Sequence, residues 1–135
     1  MEAMTRNIRE AISKHAVIDG PGHVGPMYAF EVHGFGGRNL MDDANIPSLL
    51  PAPFLGYLNA EDAVHQNTRK FVLSKQKPWY CDGHVINGVG GPHIKPGAAW
   101  PMSSTVQIMK SSNNTEIEKA LLELLSSTNG IGLIH

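Results

Sequence analysis

The sequence has 135 residues, which is enough for at most one domain with a sizeable hydrophobic core. The formal net charge is −1, the pI is near 6.6, and the sequence shows no basic stripe of the kind that binds nucleic acids. No nucleic-acid partner is therefore expected. Charged residues make up 17% of the chain, below the roughly 25% of an ordinary soluble domain, which indicates that much of the surface is meant to be covered.

The first third of the chain predicts a helix followed by a hairpin. The stretch TRNIREAISKHAVI, residues 5–18, is typical of an amphipathic helix with Thr5 as its cap, and DGPGHVGP ends it. One face of this helix carries Ile8, Ala11, Ile12 and His15. The following residues, MYAFEVHGFGGRNLM, form two extended runs around GFGG, which predicts a short β-hairpin.

The middle of the chain predicts one helix between two long loops. NIPSLL has room for only about one helical turn, because Leu50 precedes Pro51 and is pushed out of the α region. NAEDAVHQNTRKFVLSK predicts the next helix, with Asn59 as its cap. Residues 77–99 form a loop centred on GVGGPHIKPG, and loops of ~20 residues inside a domain are usually functional.

The last third of the chain predicts two helices. PMSSTVQIMKS has Pro101 at the first helical position, where proline is well tolerated. In TEIEKALLELLSSTNG, Thr115 and Glu118 have the spacing of a capping box, and Gly130 suits the stop after the helix.

Cysteine and histidine usage gives no sign of a disulfide, metal or cofactor. Cys81 is the one cysteine, so no disulfide forms within the chain, and a small buried residue is the expected role. The histidines are scattered without ligand spacing, so neither metal nor cofactor is expected. No apolar run reaches the ~18 residues of a membrane span, and the N-terminus lacks the apolar region of a signal peptide. The compartment stays open.

Polar side chains gather in the loops that separate the helices. The most conspicuous are the adjacent acids Asp42 and Asp43, which stand between apolar residues on both sides. The loop inventory is Glu31, His33, Asp42, Asp43, Asn45, Asn87, His93 and Trp100. Carboxylates, amides, an imidazole and an indole suit a polyhydroxylated ligand, because they hydrogen-bond hydroxyls and stack on the apolar face of a sugar.

Structural roles stay open for several of these residues. Asp42 or Asp43 could instead cap the turn at Asn45. Glu31 could lie on the solvated side of a strand, or pair with Arg38 or Arg69 behind the loop. Trp100 could be a loop anchor rather than a stacking platform.

The amino-acid sequences of the loops resemble those of a known family. The motifs are YAFEVHGFGGRNLMDDANIPSLLPAPFLGYL, NTRKFVLSKQKPWYCDG, GGPHIKPGAAWPMSSTVQI and GIGLIH. Together they resemble glycoside hydrolase family 125, the metal-independent exo-α-1,6-mannosidases, also called the meiotically up-regulated gene 157 family. The resemblance runs from about Ile8 to His135, and the helices between the motifs look fungal.

This resemblance implies a mostly α fold: a partial (α/α)6 barrel, or six-hairpin toroid, with long loops and a short β-hairpin. Residues 1–135 would form a single incomplete domain, part of a catalytic domain several times longer. The implied partner is a mannose-containing glycan. The implied substrate-binding residues are Glu31, Asp42, Asp43, Asn45, His93 and Trp100.

The resemblance also implies that no catalytic residue lies in this chain. An inverting hydrolase needs an acid and a base ~6.5–9.5 Å apart on opposite faces of the sugar, and neighbours such as Asp42 and Asp43 seldom converge in that way. The family's acid would lie in a segment preceding Met1, and its base in a His-Glu-Ser motif that begins at His135. The chain would then be a fragment that contributes binding loops and is inactive alone.

Two other functions stay open from the sequence. One is a non-catalytic mannose-binding or partner-binding module, and the other is a non-functional truncated gene product. Four positions depart from the family pattern: His33, Pro51, Lys77 and Lys95 replace a usual Asp, Ser, Asn and Gly. Such drift suits a gene copy released from selection.

Overall fold

The computed structural model describes residues 1–132, and it is helical with three short sheets. The helices are α1 (Glu2–His15), α2 (Ala63–Val72), α3 (Pro101–Met109) and α4 (Asn114–Ser126). A 3₁₀ turn spans Pro21–His23. The final residues of the GIGLIH motif, 133–135, lie outside the described residues.

Each sheet is one antiparallel hairpin. The six strands are β1 (Val17–Asp19), β2 (Pro26–Tyr28), β3 (Glu31–Val32), β4 (Arg38–Asn39), β5 (Tyr80–Asp82) and β6 (Asn87–Val89). They pair as β1 with β2, β3 with β4, and β5 with β6. The hairpin predicted around GFGG is β3–β4, whereas the other two lie where the sequence indicates a helix end and a long loop.

The first helix ends earlier than its apolar pattern suggests. α1 ends at His15, and the next residues form β1, in which Ile18 pairs with Met27. The side chains of Ile18 and Met27 are both buried in the core. Tertiary packing therefore favours an extended backbone at the β-branched residues Val17 and Ile18 over another helical turn. α1 itself buries no residue.

Three helix caps differ from the predicted ones. α1 begins at Glu2, so Met1 and not Thr5 stands at its cap position, without a capping side-chain hydrogen bond. Asp62, not Asn59, caps α2, and its side chain accepts a hydrogen bond from the backbone N–H of His65. Asn113, not Thr115, caps α4. The short NIPSLL segment forms bends rather than a helical turn, while α3 begins at Pro101 as expected.

The core lies where α2 packs on β2 and where α3 packs on β6 and α4. Its buried apolar residues are Ile18, Met27, Ala29, Ala44, Leu50, Phe71, Val72, Val89 and Val106. Because Ala44 and Leu50 belong to this cluster, the loop that carries the acidic pair is anchored in the core. Val89 anchors the start of the second long loop in the same way.

A polar network joins the three C-terminal helices. Glu116 of α4 accepts two hydrogen bonds from Arg69 of α2, at 2.7 and 2.8 Å, and one from Gln107 of α3 at 2.8 Å. Ser111 donates to the same carboxylate from the α3–α4 connection. None of the helices in the described part of the chain is long and apolar enough to cross a membrane.

Candidate functional site

The loop with the acidic pair is folded around the buried carboxylate of Asp42. One oxygen accepts from the backbone N–H of Ala44 at 2.8 Å, and the other from that of Leu50 at 2.9 Å. Asp42 is 0% exposed. Asp42 is therefore shielded from solvent and closes the turn, the structural role that the sequence left open for one of the two acids.

Backbone strain marks the same turn. Ala44 is buried and has a φ of +66°, a left-handed conformation that residues with a Cβ rarely adopt. Such a conformation costs roughly 1–2 kcal/mol and persists where surrounding contacts hold it. Here the hydrogen bond from Ala44 to Asp42 holds it, and the turn presents Asp43 and Asn45 on either side of Ala44.

Asp43, Asn45 and His93 contact one another through their polar side-chain atoms. His93 Nδ1 lies 3.2 Å from Asp43 Oδ1, and Asn45 Nδ2 lies 3.1 Å from His93 Nε2 and 3.3 Å from Asp43 Oδ2. An amide NH₂ only donates, so Nε2 of His93 accepts from Asn45. In the neutral ring this leaves Nδ1, the nitrogen that faces Asp43, as the one that carries the proton. Two loops far apart in sequence are thus joined.

Trp100 flanks this group. Its ring centroid lies 6.5 Å from that of His93, with an interplanar angle of 83°, an edge-on arrangement. Its backbone N–H donates to the carbonyl of Val89 at 2.9 Å, which fixes the tryptophan at the start of α3. Four of the six candidate residues therefore lie together: Asp43, Asn45, His93 and Trp100.

Glu31 lies elsewhere, on the exposed β3–β4 hairpin. Its Oε2 accepts from Asn39 Nδ2 at 3.1 Å, across the strand pair. In the described residues no hydrogen bond or ion pair joins Glu31 to the other candidates, and Arg69 is bonded to Glu116 instead. The structure does not bring Glu31 to the group formed by Asp43, Asn45 and His93.

Lys77 is a residue that sequence reasoning missed. It is 2% exposed, and its Nζ donates to the carbonyl of Gly90 at 2.5 Å. Burial lowers the pKa of Lys77 to about 8, while the carboxylates of Asp42 and Asp43 oppose that shift. A lysine is almost always assigned to the surface from sequence. Its one signal in the sequence is that Lys77 departs from the residue that the family resemblance leads us to expect before Pro78.

A polar cleft of about 470 Å³ lies between α2, α3 and α4, apart from the acidic loop. Arg69 and Glu116 line it and are bonded to each other, and Glu123 accepts from the backbone and side chain of Asn87. Because its charged groups mainly satisfy one another, this cleft is the weaker candidate for a ligand site.

The group around Asp43 offers polar atoms that can bind hydroxyls. Asp42 is buried with both oxygens on backbone N–H groups, so only Asp43 of the pair is open to a ligand. Across residues 1–132, no three His, Cys, Asp or Glu side chains come together as metal ligands. The arrangement fits recognition of a neutral polar molecule.

Comparison with known proteins places these features in a family. The family model for metal-independent alpha-mannosidase (GH125) matches residues 1–135. The chain is also 46% identical over 129 residues to the meiotically up-regulated gene 157 protein of Schizosaccharomyces pombe (strain 972 / ATCC 24843). That match covers 95% of this chain and 25% of the relative, so the chain spans about a quarter of the relative's length.

A solved structure is similar throughout the chain. It is a metal-independent alpha mannosidase from Streptococcus pneumoniae in a non-productive substrate complex with alpha-1,6-mannobiose. The TM-score is 0.92 at 34% identity, covering 99% of this chain and 31% of that one. The resemblance inferred from the loop motifs is thereby confirmed, and the chain belongs to glycoside hydrolase family 125, the metal-independent alpha-mannosidases.

Proposed function

We propose that this chain is part of an inverting exo-α-1,6-mannosidase and supplies residues that bind the terminal mannose of a glycan. The main support for this proposal is that Asp43, Asn45 and His93 contact one another beside Trp100, although they come from segments far apart in sequence. The complex of the structural neighbour with alpha-1,6-mannobiose supports the same class of ligand.

Each residue has a distinct part in this proposal. Asp43 offers carboxylate oxygens to sugar hydroxyls, and its contact with His93 fixes the direction in which they point. Asn45 adds an amide, whose carbonyl oxygen can accept from a hydroxyl. Trp100 supplies an apolar wall for the carbon face of the ring. Asp42 acts indirectly by holding the turn, and Glu31 is left out of the set.

The acid and the base of the reaction belong, in this proposal, to parts of the enzyme beyond these 135 residues. Inversion requires two carboxyl groups ~6.5–9.5 Å apart on opposite sides of the scissile bond. Asp42 is unsuited to that work, because its buried carboxylate is held by two backbone N–H groups. The chain thus contributes to binding, not to bond cleavage.

We also propose that residues 1–135 form a single incomplete domain, part of an (α/α)6 barrel. Apolar side chains exposed on the terminal helices support this, among them Met4 and Ile8 on α1 and Leu122 and Leu125 on α4. In a helical barrel such side chains pack against neighbouring helices. The share of the structural neighbour that the chain covers, 31%, fits the same interpretation.

The test uses the complete enzyme and α-1,6-mannobiose. Asp43→Asn and His93→Ala should each raise KM about 10-fold to 100-fold, since hydrogen bonds to charged groups contribute about 1.5–3 kcal/mol. Asp19→Asn, at an exposed position in β1, is the matched control and should leave KM unchanged. Unchanged KM in both site variants would refute the proposed site. Mannobiose binding without mannose release by the complete protein would favour a non-catalytic module.

A further inference from the structure

Lys77 is buried directly behind the candidate mannose site. Its ammonium group donates to the carbonyl of Gly90, and only 2% of the residue is exposed. A buried cation is costly unless it is paired or well hydrogen-bonded, so such a residue needs a specific reason to be there. The same turn carries Lys75, which is exposed and pairs with Asp82.

The carbonyl that Lys77 binds belongs to the loop that carries His93. The backbone N–H of Gly90 donates to the carbonyl of Trp79 at 3.1 Å, so two contacts from the 77–79 turn hold this one residue. The next residue, Gly91, packs so closely on Asp43 that an added Cβ would lie 2.9 Å from the Asp43 carbonyl oxygen.

The segment 90–93 therefore packs between two turns, the one at residues 77–79 and the one that carries Asp43. Gly90 and Gly91 are both buried, and two residues further on, His93 reaches the Asp43 carboxylate at 3.2 Å. The backbone N–H of Ile94 donates to the carbonyl of Gly91, which closes a turn around His93. A shift of Gly90 would be passed on to the imidazole through three residues.

Charge adds to this contact. The carboxylates of Asp42 and Asp43 are near enough to favour the charged form of Lys77 against the effect of burial on its pKa. No hydrogen bond joins Lys77 to either acid in the described residues, so this effect acts through space.

We propose that Lys77 is a positioning residue, whose hydrogen bond to Gly90 holds the 90–93 loop so that His93 engages Asp43 and Asn45. Its importance for mannose recognition rests on the proposed function. Lys77 does not touch the ligand in this proposal; it acts through His93.

The first experiment needs no ligand. Diethyl pyrocarbonate acylates an imidazole nitrogen through its free lone pair, and Asn45 occupies the Nε2 lone pair of His93. In the complete enzyme, Lys77→Met should raise the acylation rate of His93 about tenfold, as expected when one charge-assisted hydrogen bond no longer holds the loop. Rates are read from the His93 peptide by mass spectrometry, with the exposed His84 as internal reference.

Lys75→Met is the matched control, because it removes an exposed lysine from the same turn. It should leave the rate at His93 unchanged. An unchanged rate in Lys77→Met would overturn the proposal, as would an equal increase at His93 and His84, which signals general loosening.

The second experiment is a double-mutant cycle with α-1,6-mannobiose binding. If Lys77 acts through His93, Lys77→Met combined with His93→Ala should bind no more weakly than His93→Ala alone. Additive losses would overturn the positioning role. If binding is unaffected by every variant while the acylation rate changes as expected, the proposed mannose site fails and the link from Lys77 to His93 stands.

Lys77→Gln guards against a folding failure of the methionine variant. Glutamine keeps a donor and is one atom shorter, so it should keep the His93 acylation rate within about threefold of wild type. A rate as high as that of Lys77→Met would show that the donor is not what holds the loop. Loss of folding in both variants would also overturn the specific role, because Lys77 would then support the fold as a whole.

Discussion

The carboxylate of Asp42 accepts a hydrogen bond of 2.9 Å from the backbone N–H of Leu50, eight residues further along the chain. The other oxygen binds the N–H of Ala44, so one buried side chain closes the whole acidic loop. Asp43, its neighbour, points instead at His93. Two adjacent acids thus separate into a residue that shapes the loop and a residue that is open to a ligand.

Asp42→Asn should destabilise the fold. The amide would place an NH₂ group against one of the two backbone N–H donors, leaving that donor unsatisfied in a buried site. The expected loss in the free energy of unfolding is about 1–3 kcal/mol, measured by denaturant unfolding of the complete enzyme. Asp43→Asn is the matched control and should lose less stability while it weakens mannobiose binding. Equal stability losses would contradict the division of roles between the two acids.

The segments of the candidate site could be predicted from sequence, but their contacts could not. Polar residues in long loops pointed to Asp43, Asn45, His93 and Trp100, because loops of that length rarely serve only as connections. The same reasoning grouped Asp42 with them, because the sequence does not reveal that this carboxylate is buried. Its burial depends on hydrogen bonds from two backbone N–H groups of the folded loop. Glu31 was included for its residue type alone.

The fold shows the same division. Periodicity and helix-start signals located the four helices of residues 1–132 and the β3–β4 hairpin. The β1–β2 and β5–β6 hairpins depend instead on pairing between short segments that carry little local signal. Lys77 escaped notice because its burial depends on the carbonyl of Gly90, thirteen residues away. Long-range contacts of this kind leave no periodic trace in the sequence.

Gly91→Ala should disturb the site from the side opposite Lys77. A Cβ at Gly91 would lie 2.9 Å from the carbonyl oxygen of Asp43 and 3.1 Å from its Oδ1, so backbone must move. Overpacking of this kind typically costs about 1–3 kcal/mol. We expect a lower melting temperature and a higher KM for α-1,6-mannobiose.

Gly34→Ala is the control for this variant, because nothing lies within 4 Å of a Cβ added at Gly34. It should behave as wild type. Wild-type stability and KM in Gly91→Ala would mean that the loop accommodates the methyl group, and that the close contact with Asp43 does not constrain the site.

Glu116→Gln should destabilise the junction of α2, α3 and α4, most strongly at neutral pH. Burial alone raises the pKa of Glu116, but hydrogen bonds from Ser111, Arg69 and Gln107 bring the pKa below its ordinary value. The native state therefore binds this proton less readily than the unfolded state. The resulting stabilisation is present above the ordinary pKa of a glutamate and is lost as the pH falls through the lower native value.

The measurement is denaturant unfolding of the complete enzyme between pH 3 and 7. Wild type should exceed Glu116→Gln by about 1–3 kcal/mol at neutral pH, and the gap should narrow in acid. Glu118→Gln, at an exposed position in the same helix, is the control and should unfold as wild type does. A gap that does not change with pH would rule out the carboxylate charge as its source.

A polypeptide of these 135 residues made alone should be helical but prone to association. Met4 on α1 and Leu125 on α4 are 67% and 66% exposed, and further apolar residues lie beside them. Contiguous apolar patches beyond a few hundred Å² drive association. Light scattering after size exclusion should show oligomers, and Leu122→Gln with Leu125→Gln should reduce them. A monodisperse wild-type monomer with a sharp, cooperative melt would contradict the incomplete-domain proposal.

The same polypeptide should release no mannose from α-1,6-mannobiose. Asp42 is buried on backbone N–H groups and Asp43 is engaged by His93 and Asn45, so the pair cannot supply an acid and a base on opposite faces of a sugar. Loss of a positioned acid alone typically lowers the rate 10²–10⁴-fold. The measurement is a sensitive assay for free mannose, with the complete enzyme as positive control. Mannose release that Asp43→Asn abolishes would make Asp43 catalytic, and the division between binding and chemistry proposed for this chain would then be wrong.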